Sequence, residues 1–462
     1  MLCRGIEDDV RASTMTESFD AVVLGAGPAG EVAVSALAEG GLRCALVERQ
    51  LIGGECTNWA CIPTKTLLRP PEAQHSSARV AGVSKAELEW TRIAEYRDWM
   101  TRQHDDTNAT ADYESRGIAV VKGTGRLAGP GRVEVDARVL ETERVILATG
   151  SDPIIPPIDG LEEAGYWTNR EATAMQEVPT SAVVIGGGPV GIELAQILSR
   201  FGAFVTIVES FDRLLARETP QVGELIATAL EEEGIGLRVG RRAVAVERQG
   251  SERVVRIEDG DEVRGWVVVV AGGRRPRVEA IGLETVGIDA SPEGVPIDDR
   301  CRAAEGVWAI GDVTGVALFT HVGKYQARIA AADILGQPAR ADYRAIPRVV
   351  FSDPEIAAVG LTEEQAREQG IDAIAASVEL PNEIARPWTY EEHPRGSLGL
   401  VADREKQVLI GAWAVAPLAG EWIHFAALAV KAEIPVAMLR DTIPQFPSFS
   451  EAYLSALRAL PD

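Results

Sequence analysis

The chain has 462 residues, a formal net charge of −23 and an ordinary globular composition, with 46% hydrophobic and 25% charged residues. This length corresponds to about three domains, and the apolar content excludes a long disordered protein. The acidic charge argues against binding to nucleic acid or to an anionic membrane surface, because both are negatively charged. No apolar run approaches the length of about 18 residues that a membrane-spanning helix needs, so no membrane insertion is expected.

Residues 1–17 have neither the apolar core of a secretory signal nor the basic character of a transit peptide. We expect them to form a flexible extension with no role in the fold, whether translation starts at Met1 or at Met15. The chain has five cysteines, Cys3, Cys44, Cys56, Cys61 and Cys301. An odd number of cysteines, few for a chain of this length, argues against a disulfide-stabilised secreted domain, so a cytoplasmic location is expected.

The first patterned segment, residues 20–49, begins with an apolar run that ends at Gly25. Gly27 and Gly30 follow, then an alanine-rich stretch with helical periodicity, and then a second apolar run that ends at Glu48. This order predicts a strand, a glycine turn, a helix and a second strand. Such a unit binds a dinucleotide, because the glycines let the backbone approach a pyrophosphate at the helix N-terminus and the acid binds ribose hydroxyls.

The same pattern recurs at residues 182–209. Its glycines are Gly186, Gly188 and Gly191, and Glu209 follows the first of them at an interval of 23 positions, as in the first unit. Two such units in one chain indicate two nucleotide ligands. The alternative is a pair of tight turns without ligands, which would leave the two matching acids coincidental.

Weaker patterns fill the rest of the chain. Residues 84–116 and 219–234 are predicted to be helical, and residues 118–147 and 237–271 are predicted to form short strands. From about residue 345 the pattern changes to strands and helices without a nucleotide motif, which predicts a mixed α+β domain at the C-terminus.

Cys56 and Cys61 are separated by four residues and follow the first nucleotide unit. Three interpretations are open: a zinc site, a pair of inert buried thiols, or a redox-active dithiol. Zinc is disfavoured because no second Cys/His pair with ligand spacing follows. A redox dithiol requires two close sulfurs in an electropositive setting, which a helix N-terminus supplies.

Two nucleotide units with this cysteine pair between them resemble the flavin-dependent pyridine nucleotide–disulfide oxidoreductases, which include glutathione reductase, dihydrolipoyl dehydrogenase, mercuric reductase and soluble transhydrogenase. The resemblance extends from about Phe19 to Glu451. It rests on the GGxCxNxxCIPxK pattern at 53–65, ATG at 148–150, the Gly311–Asp312 pair, FSDPEIAAVGLTEEQA at 351–366 and PxxSE at 447–451.

The resemblance implies that the first unit binds FAD, with Glu48 on the adenosine ribose. Further FAD contacts are implied at Thr149, Gly150, Gly311 and Asp312. The second unit then binds NAD(H). NADH is expected in preference to NADPH, because Glu209 accepts hydrogen bonds from ribose hydroxyls and repels a 2′-phosphate. Arg213 and Arg217 follow closely and are the residues that would favour NADPH.

The resemblance also implies the catalytic residues. Cys61 is the sulfur next to the flavin, Cys56 is the sulfur that meets the substrate, and Lys65 pairs with Glu193 beside the flavin N5. Elementary electrostatics agrees with this arrangement, because a cation stabilises an anionic reduced flavin and a buried cation needs a carboxylate partner. A solvated lysine on a helix is the alternative interpretation for Lys65.

The implied fold class is α/β, with two doubly wound dinucleotide-binding domains and a C-terminal α+β dimerisation domain. The predicted boundaries are an extension at 1–17, an FAD-binding domain at 18–160 and 281–344, an NAD-binding domain at 161–280 and an interface domain at 345–462. A homodimer is implied, because in this family the tail of one subunit completes the site of its partner.

The tail departs from the family pattern H-P-T-x-S-E. Residues 446–451 read FPSFSE, so Glu451 is present but Phe446 replaces the histidine that acts as acid–base for thiol protons. A positioned acid–base contributes about 10²–10⁴-fold to a rate, so disulfide turnover is expected to suffer. No cysteine follows Cys301, so the C-terminal cysteine pair of mercuric reductase is absent.

Trp59 stands between the two cysteines, where the family usually has a small residue. With Phe446 and Phe449 it is expected to form an aromatic rim near the cysteines, and aromatic packing at a dimer interface is the alternative. The expected small-molecule acceptor is therefore a quinone. Two alternatives remain: a disulfide reductase of the dihydrolipoyl dehydrogenase type with an unrecognised base, and a slow FAD-binding redox sensor.

Overall fold

A computed structural model describes residues 15–289 and 291–461, so most of the predicted N-terminal extension lies outside the described residues. The chain divides into two compact units. The first contains the residues up to Cys56 with Asp105–Asp152 and Arg275–Ala341, and the second contains Thr57–His104, Pro153–Arg274 and the residues from Asp342 onward. Within the described residues, no helix is both long and apolar enough to cross a membrane.

The first unit is built on a six-stranded sheet. In spatial order its strands are Arg302–Ala304, Val307–Ala309, Val145–Leu147, Ala21–Leu24, Cys44–Glu48 and Ala119–Lys122. All neighbours pair in parallel except the first two. The central strands are buried on both faces, which is why they appear in the sequence as unbroken apolar runs. The helices are Pro28–Glu39, Thr107–Ser115 and Thr320–Ile334, with 3₁₀ turns at Leu283–Val286 and Gly311–Thr314.

The first unit also contains a four-stranded sheet, with the order Met15–Ser18, Arg138–Glu141, Arg132–Val135 and Gly125–Leu127. Its first strand is an edge strand parallel to the second, and Arg138 Nη2 donates to Glu17 Oε1 at 2.6 Å. The expectation that residues up to 17 have no role in the fold is therefore wrong for residues 15–17. The segment MTES lacks an alternation of apolar residues, so its sequence gave no sign of a strand.

The second unit contains a four-stranded parallel sheet, with the order Gly236–Val239, Phe204–Glu209, Ser181–Ile185 and Val267–Val270. The helices of this part are Leu161–Ala164, Asn169–Ala174, Pro189–Arg200 and Pro220–Glu232. A three-stranded antiparallel sheet follows, with strands Ala243–Gln249, Glu252–Ile257 and Glu262–Gly265. Two further short strands, Ser151–Pro153 and Arg274–Pro276, lie where the chain passes between the units. The predicted strand, turn, helix and strand at 182–209 are thus present.

The segment after the first nucleotide unit is helical. Its elements are the helices Gly54–Asn58, Cys61–Arg79 and Trp90–Met100 and the 3₁₀ turn Arg102–His104. The helix predicted over 84–116 is interrupted, because Arg102, Gln103 and His104 have positive φ angles of 55°, 53° and 55°. Left-handed backbone at non-glycine residues has no signature in the sequence pattern.

The C-terminal part of the second unit is a five-stranded antiparallel sheet packed against helices. The strands follow the order Pro347–Val350, Glu355–Gly360, Val408–Ala416, Ser397–Asp403 and Ala373–Glu379. The helices are Glu363–Glu368, Leu380–Glu383, Arg386–Tyr390, Ala419–Trp422, His424–Lys431, Val436–Arg440 and Ala452–Ala459, with a 3₁₀ turn at Phe449–Glu451. Their apolar faces bury one continuous core with the sheet. The predicted α/β fold class with a C-terminal α+β domain is confirmed.

Candidate active site

The two nucleotide turns have the same backbone construction. An added Cβ at Gly25 would collide with the Ala148 carbonyl, and an added Cβ at Gly30 would collide with the Gly25 carbonyl. Gly27 faces open space, so the packing of the protein itself does not require a glycine there. A bare backbone at that position fits the close approach of a pyrophosphate. The second turn repeats the arrangement, with collisions at Gly186 and Gly191 and open space at Gly188.

The acid of each unit is held beside its turn. Glu48 Oε2 accepts a hydrogen bond from the Ala26 N–H at 2.8 Å, and Glu209 Oε2 accepts one from the Gly187 N–H at 2.5 Å. Glu209 Oε1 also accepts from the Phe211 N–H at 2.7 Å. Both carboxylates are largely buried. They are thus fixed at the end of the second strand, where ribose hydroxyls are bound in dinucleotide folds.

The remaining predicted FAD contacts gather at one edge of the six-stranded sheet. Thr149 and Gly150 follow one strand of the sheet, and Gly311 and Asp312 follow its parallel neighbour. Ser151 Oγ donates to Asp312 Oδ2 at 2.6 Å, which joins the two strand ends. The carboxyl ends of parallel strands are where open α/β sheets bind ligands, so these residues fit the cofactor.

The two candidate redox cysteines differ from the buried ones. Cys56 lies in a short helix, Cys61 is the first residue of a 19-residue helix, and both are partly accessible. Cys44 and Cys301 are fully buried, and burial, with a smaller effect of Asp20, raises the pKa of the Cys44 thiol to about 12. A helix N-terminus has the opposite effect on a thiol, because it stabilises the thiolate. Cys61 therefore has the setting of a reactive sulfur.

Lys65 lies one helical turn after Cys61 and forms an ion pair with Glu193. Its Nζ is 2.7 Å from Glu193 Oε2 and 4.7 Å from the centroid of the Phe351 ring. The other carboxylate oxygen of Glu193 accepts the Phe351 N–H at 2.9 Å. The carboxylate is thus nearly buried and fully engaged, and it fixes the position of a lysine that remains partly exposed.

The segment between the cysteines is held by side chains that the sequence interpretation had not assigned to it. His104 Nε2 is 3.0 Å from the Asn58 carbonyl oxygen, and Asn169 Nδ2 donates to the Trp59 carbonyl at 2.8 Å. The Trp59 ring is stacked with the His104 ring at 5.6 Å, and the Arg170 guanidinium lies 4.1 Å from its centroid. These partners are distant in sequence and belong to no motif, so no sequence signal indicated them.

The C-terminal tail differs from the predicted aromatic rim. Phe446 is 67% exposed, as a rim residue would be, but Phe449 is 6% exposed and its ring stacks on Trp422 at 6.2 Å in the core of the C-terminal domain. The inclusion of Phe449 in the rim is therefore wrong, because burial among apolar side chains outweighs any exposed role. Glu451 Oε2 accepts the Ser448 N–H at 3.0 Å and so caps its own 3₁₀ turn.

Comparison with known proteins agrees with the two nucleotide units and the C-terminal domain. Residues 19–333 match the family described as pyridine nucleotide-disulphide oxidoreductase, and residues 346–457 match its dimerisation domain. The chain is 33% identical to dihydrolipoyl dehydrogenase of Thermus scotoductus over 96% of this chain and 98% of that protein. It is 31% identical to mercuric reductase of Staphylococcus aureus over 94% of this chain and 81% of that protein.

A solved structure with a similar fold is the HOCl-induced flavoprotein disulfide reductase RclA from Escherichia coli. The TM-score is 0.84 at 28% identity, and the similarity covers 95% of this chain and 99% of the RclA chain.

Proposed function

The chain belongs to the pyridine nucleotide–disulphide oxidoreductase family, and from this premise we propose that it oxidises NADH, passes the electrons through FAD to Cys56 and Cys61, and delivers them to a small disulfide. The family binds FAD and NAD(P)H, and the chain is an NAD(P)H-dependent flavoprotein oxidoreductase. We propose in addition that the acceptor is a disulfide, that NADH is preferred over NADPH, and that the individual residues have the roles given below.

The observation that carries the proposal is the Lys65–Glu193 ion pair on the helix that begins at Cys61. The helix N-terminus favours the thiolate form of the partly accessible Cys61 sulfur. The fixed ammonium of Lys65, one turn away, stabilises negative charge that develops beside it. Bound FAD would supply two-electron transfer between the nicotinamide and the cysteine pair. The first glycine turn with Glu48 and Asp312 would hold FAD, and the second turn with Glu209 would hold NADH.

The acceptor reaction is an exchange between sulfurs. Cys56 attacks one sulfur of the acceptor disulfide, so that a mixed disulfide forms, the acceptor S–S bond breaks and the released thiolate takes up a proton. Cys61 then attacks the Cys56 sulfur, restores the Cys56–Cys61 bond and releases the second thiolate. Two electrons and the two protons of the cysteine pair pass to the acceptor.

The names of two relatives, dihydrolipoyl dehydrogenase and the disulfide reductase RclA, favour a disulfide as acceptor, whereas mercuric reductase is named for a metal ion. None of these three names supports the quinone expected from the sequence. The quinone remains a second candidate because of one observation: Phe446, exposed at the position of the family's tail histidine, cannot exchange a proton. A quinone takes its protons from water, so it does not need that group.

The matched dimerisation domain supports a homodimer. The exposed apolar side chains of the C-terminal part, which include Leu428, Met438, Ile443 and Phe446, fit a surface that a second copy covers. A cytoplasmic location stays a prediction from the cysteine content.

The test combines thiol titration with an acceptor screen on the purified FAD-containing protein. Anaerobic NADH should expose two additional reactive thiols, and Cys56→Ser or Cys61→Ser should abolish this gain. Lipoamide, glutathione disulfide and a benzoquinone are then compared by kcat/KM. A tenfold advantage for the quinone would establish the second candidate, and absence of both the thiol gain and turnover would indicate a slow redox sensor.

A further inference from the structure

The segment between the cysteines has a proton-exchanging neighbour within the same chain, His104. Its Nε2 lies 3.0 Å from the Asn58 carbonyl oxygen, and because a carbonyl only accepts hydrogen bonds, Nε2 carries the hydrogen. The imidazole also stacks on the Trp59 ring, with 5.6 Å between centroids and an interplanar angle of 21°. His104 therefore contacts two of the four residues that separate Cys56 from Cys61.

The backbone that presents His104 is unusual. Arg102, Gln103 and His104 all have φ near +55°, a region that side chains other than glycine rarely occupy. Such backbone persists only where the surroundings hold it, and it concentrates at functional sites. Here the left-handed turn ends the preceding helix and directs the imidazole onto the cysteine segment. A continuous helix, as the sequence pattern predicted, would not have this turn.

The orientation of the ring leaves one nitrogen for chemistry. With Nε2 committed to Asn58, the atom that can gain and lose a proton is Nδ1, and no residue within 15–289 or 291–461 forms a hydrogen bond to it. The His104 side chain is exposed, so Nδ1 exchanges protons with solvent. Phe446, at the position of the family's tail histidine, has no such capacity.

We propose that His104 handles the protons of thiol–disulfide exchange at the cysteine segment, a function that Phe446 cannot perform. In the step proposed above, the imidazolium of His104 donates its Nδ1 proton to the thiolate that leaves the acceptor disulfide. This proton is the one that Cys56 gave to the imidazole when it formed the attacking thiolate. The neutral imidazole then takes the proton of Cys61 as Cys61 attacks the Cys56 sulfur, and it returns this proton to the second released thiolate, so both protons of the cysteine pair reach the acceptor. This inference rests on the proposed function and adds its missing acid–base.

Two charged residues, Arg170 and Asp105, adjoin the stack of the Trp59 and His104 rings. The Arg170 guanidinium lies 4.1 Å from the centroid of the Trp59 ring, and a guanidinium is not deprotonated in proteins. Asp105 follows His104 in the chain, and hydrogen bonds from the side chain and backbone of Thr107 lower the pKa of its carboxyl. A limb in the pH profile of cysteine reactivity that disappears when His104 is replaced is therefore assigned to the histidine.

The first experiment separates the two halves of the catalytic cycle. His104→Gln keeps a side-chain donor for the Asn58 carbonyl but has no group that titrates, and His104→Ala has neither. Both variants should lower kcat with lipoamide by about 10²-fold or more and leave flavin reduction by NADH unchanged. His424→Gln, at an exposed histidine that begins another helix, is the matched control and should behave as wild type. Wild-type turnover in His104→Gln, with loss only in His104→Ala, would overturn the inference in favour of a purely structural contact.

The second experiment needs no acceptor. The protein is reduced with dithiothreitol, which is then removed, and the rate of Cys56 alkylation by iodoacetamide is followed by peptide mapping against pH. Because a nearby imidazolium lowers a thiol pKa by about 1–3 units, His104→Gln should slow alkylation at pH 6 by about tenfold and remove the limb of the profile. Identical profiles would overturn the inference. A changed profile without turnover of any disulfide would instead retain His104 and reject the proposed function.

Discussion

Lys65 is the cation that we propose to stabilise the reduced flavin. Its ammonium is fixed by Glu193 at 2.7 Å, and fixed charges stabilise developing charge without reorganisation. We expect Lys65→Met to slow flavin reduction by NADH about 10²-fold, as removal of one stabilising group does in other enzymes. Stopped-flow absorbance measures this rate.

The matched control for Lys65 is Lys406→Met, which removes an exposed lysine paired with Asp403. This variant should reduce its flavin at the wild-type rate. An unchanged rate in Lys65→Met would mean that the ion pair only stabilises the fold.

The proposed preference for NADH over NADPH depends on Glu209. Its carboxylate is anchored by the Gly187 and Phe211 N–H groups, whereas Arg213 Nη2 donates to the Ala216 carbonyl at 3.0 Å. The acid is thus in place for ribose hydroxyls, and Nη2 of Arg213 is bonded to a backbone carbonyl. We expect kcat/KM to be higher for NADH than for NADPH. In Glu209→Gln the ratio of kcat/KM for NADH to kcat/KM for NADPH should fall, because the neutral amide no longer repels a 2′-phosphate. A tenfold preference of the wild type for NADPH would contradict this assignment.

Sequence was informative for residues whose role follows from their spacing. The glycines of each turn and the acid that ends the next strand occur at fixed intervals, because this strand–turn–helix–strand unit binds its dinucleotide with one backbone geometry. The Lys65–Glu193 contact was anticipated through the resemblance alone, since 128 positions separate the two residues. His104 could not be assigned in this way, because its approach to Asn58 depends on a left-handed turn that no pattern encodes.

Among the secondary-structure elements, two helices and a loop of the C-terminal domain meet at one buried carboxylate, Asp353. His75 Nδ1 and Arg79 Nη2, on the first helix, lie 2.9 Å and 3.0 Å from its oxygens, and Arg200 Nη2, on the second, lies at 3.1 Å. Burial alone would raise the pKa of Asp353, but the hydrogen bond from His75 and the charges of Arg200 and Arg79 outweigh it and hold this pKa well below its usual range.

Removal of this carboxylate should destabilise the protein. Asp353→Asn removes charged contacts of two arginines that each keep a second carboxylate, Glu233 for Arg200 and Glu391 for Arg79. We therefore expect a loss of about 1.5–3 kcal/mol and a fall of several degrees in the unfolding temperature. Because the folded pKa of Asp353 is depressed, its contribution is complete above its unfolded pKa of about 3.9 and declines as the pH falls below that value. The difference between wild type and variant should therefore be constant from pH 5 to 8 and shrink in more acidic solution.

Differential scanning calorimetry across this pH range measures the effect of Asp353→Asn. Asp372→Asn is the control, because Asp372 is exposed and its pair with Arg404 spans 3.4 Å. A surface pair of this kind is worth about 0–1 kcal/mol, so the control should unfold close to the wild-type temperature. An equal effect of the two substitutions would show that the Asp353 cluster adds no stability.

Strands and helices with a clear pattern of apolar residues were predictable from the sequence. Elements that form only because they contact another part of the chain were not. The strand Ser181–Ile185 and the helix Pro220–Glu232 follow from an apolar run and an amphipathic pattern. Met15–Ser18 is a strand only because its backbone pairs with Arg138–Glu141, so composition predicted an extension instead. Tertiary contacts overrode local propensity there, and also at the interrupted helix around residue 103.

At the scale of the whole molecule, the exposed C-terminal tail is a candidate contact between the two subunits of the proposed homodimer. Phe446 is 67% exposed and Ile443 is 97% exposed, in a domain that matches the family's dimerisation domain. The family resemblance implies that the tail of one subunit reaches the cysteines of the other. In a dimer of this kind, a histidine placed at position 446 lies near the partner's cysteines. It can then exchange the same thiol protons that we assign to His104.

This relation predicts a rescue between subunits. The double variant His104→Gln/Phe446→His should recover at least about tenfold of the disulfide turnover lost in His104→Gln, because an acid–base is worth about 10²–10⁴-fold and an engineered one is imperfectly oriented. Phe446→His in the wild-type background should change turnover little, since His104 already exchanges the proton. The strong coupling between the two sites is read from a double-mutant cycle of kcat/KM values.

The control for the rescue is His104→Gln/Ile443→His, which adds a histidine to the same exposed tail outside the family motif. It should remain as slow as His104→Gln. Sedimentation velocity establishes that each variant is still dimeric, so that failure to recover reflects chemistry and not dissociation. If a dimeric double variant does not recover, either the tail does not reach the partner's cysteines in this protein or the sulfurs take their protons from water alone. The alkylation profile of His104→Gln separates these two explanations. It matches the wild-type profile only if the protons come from water.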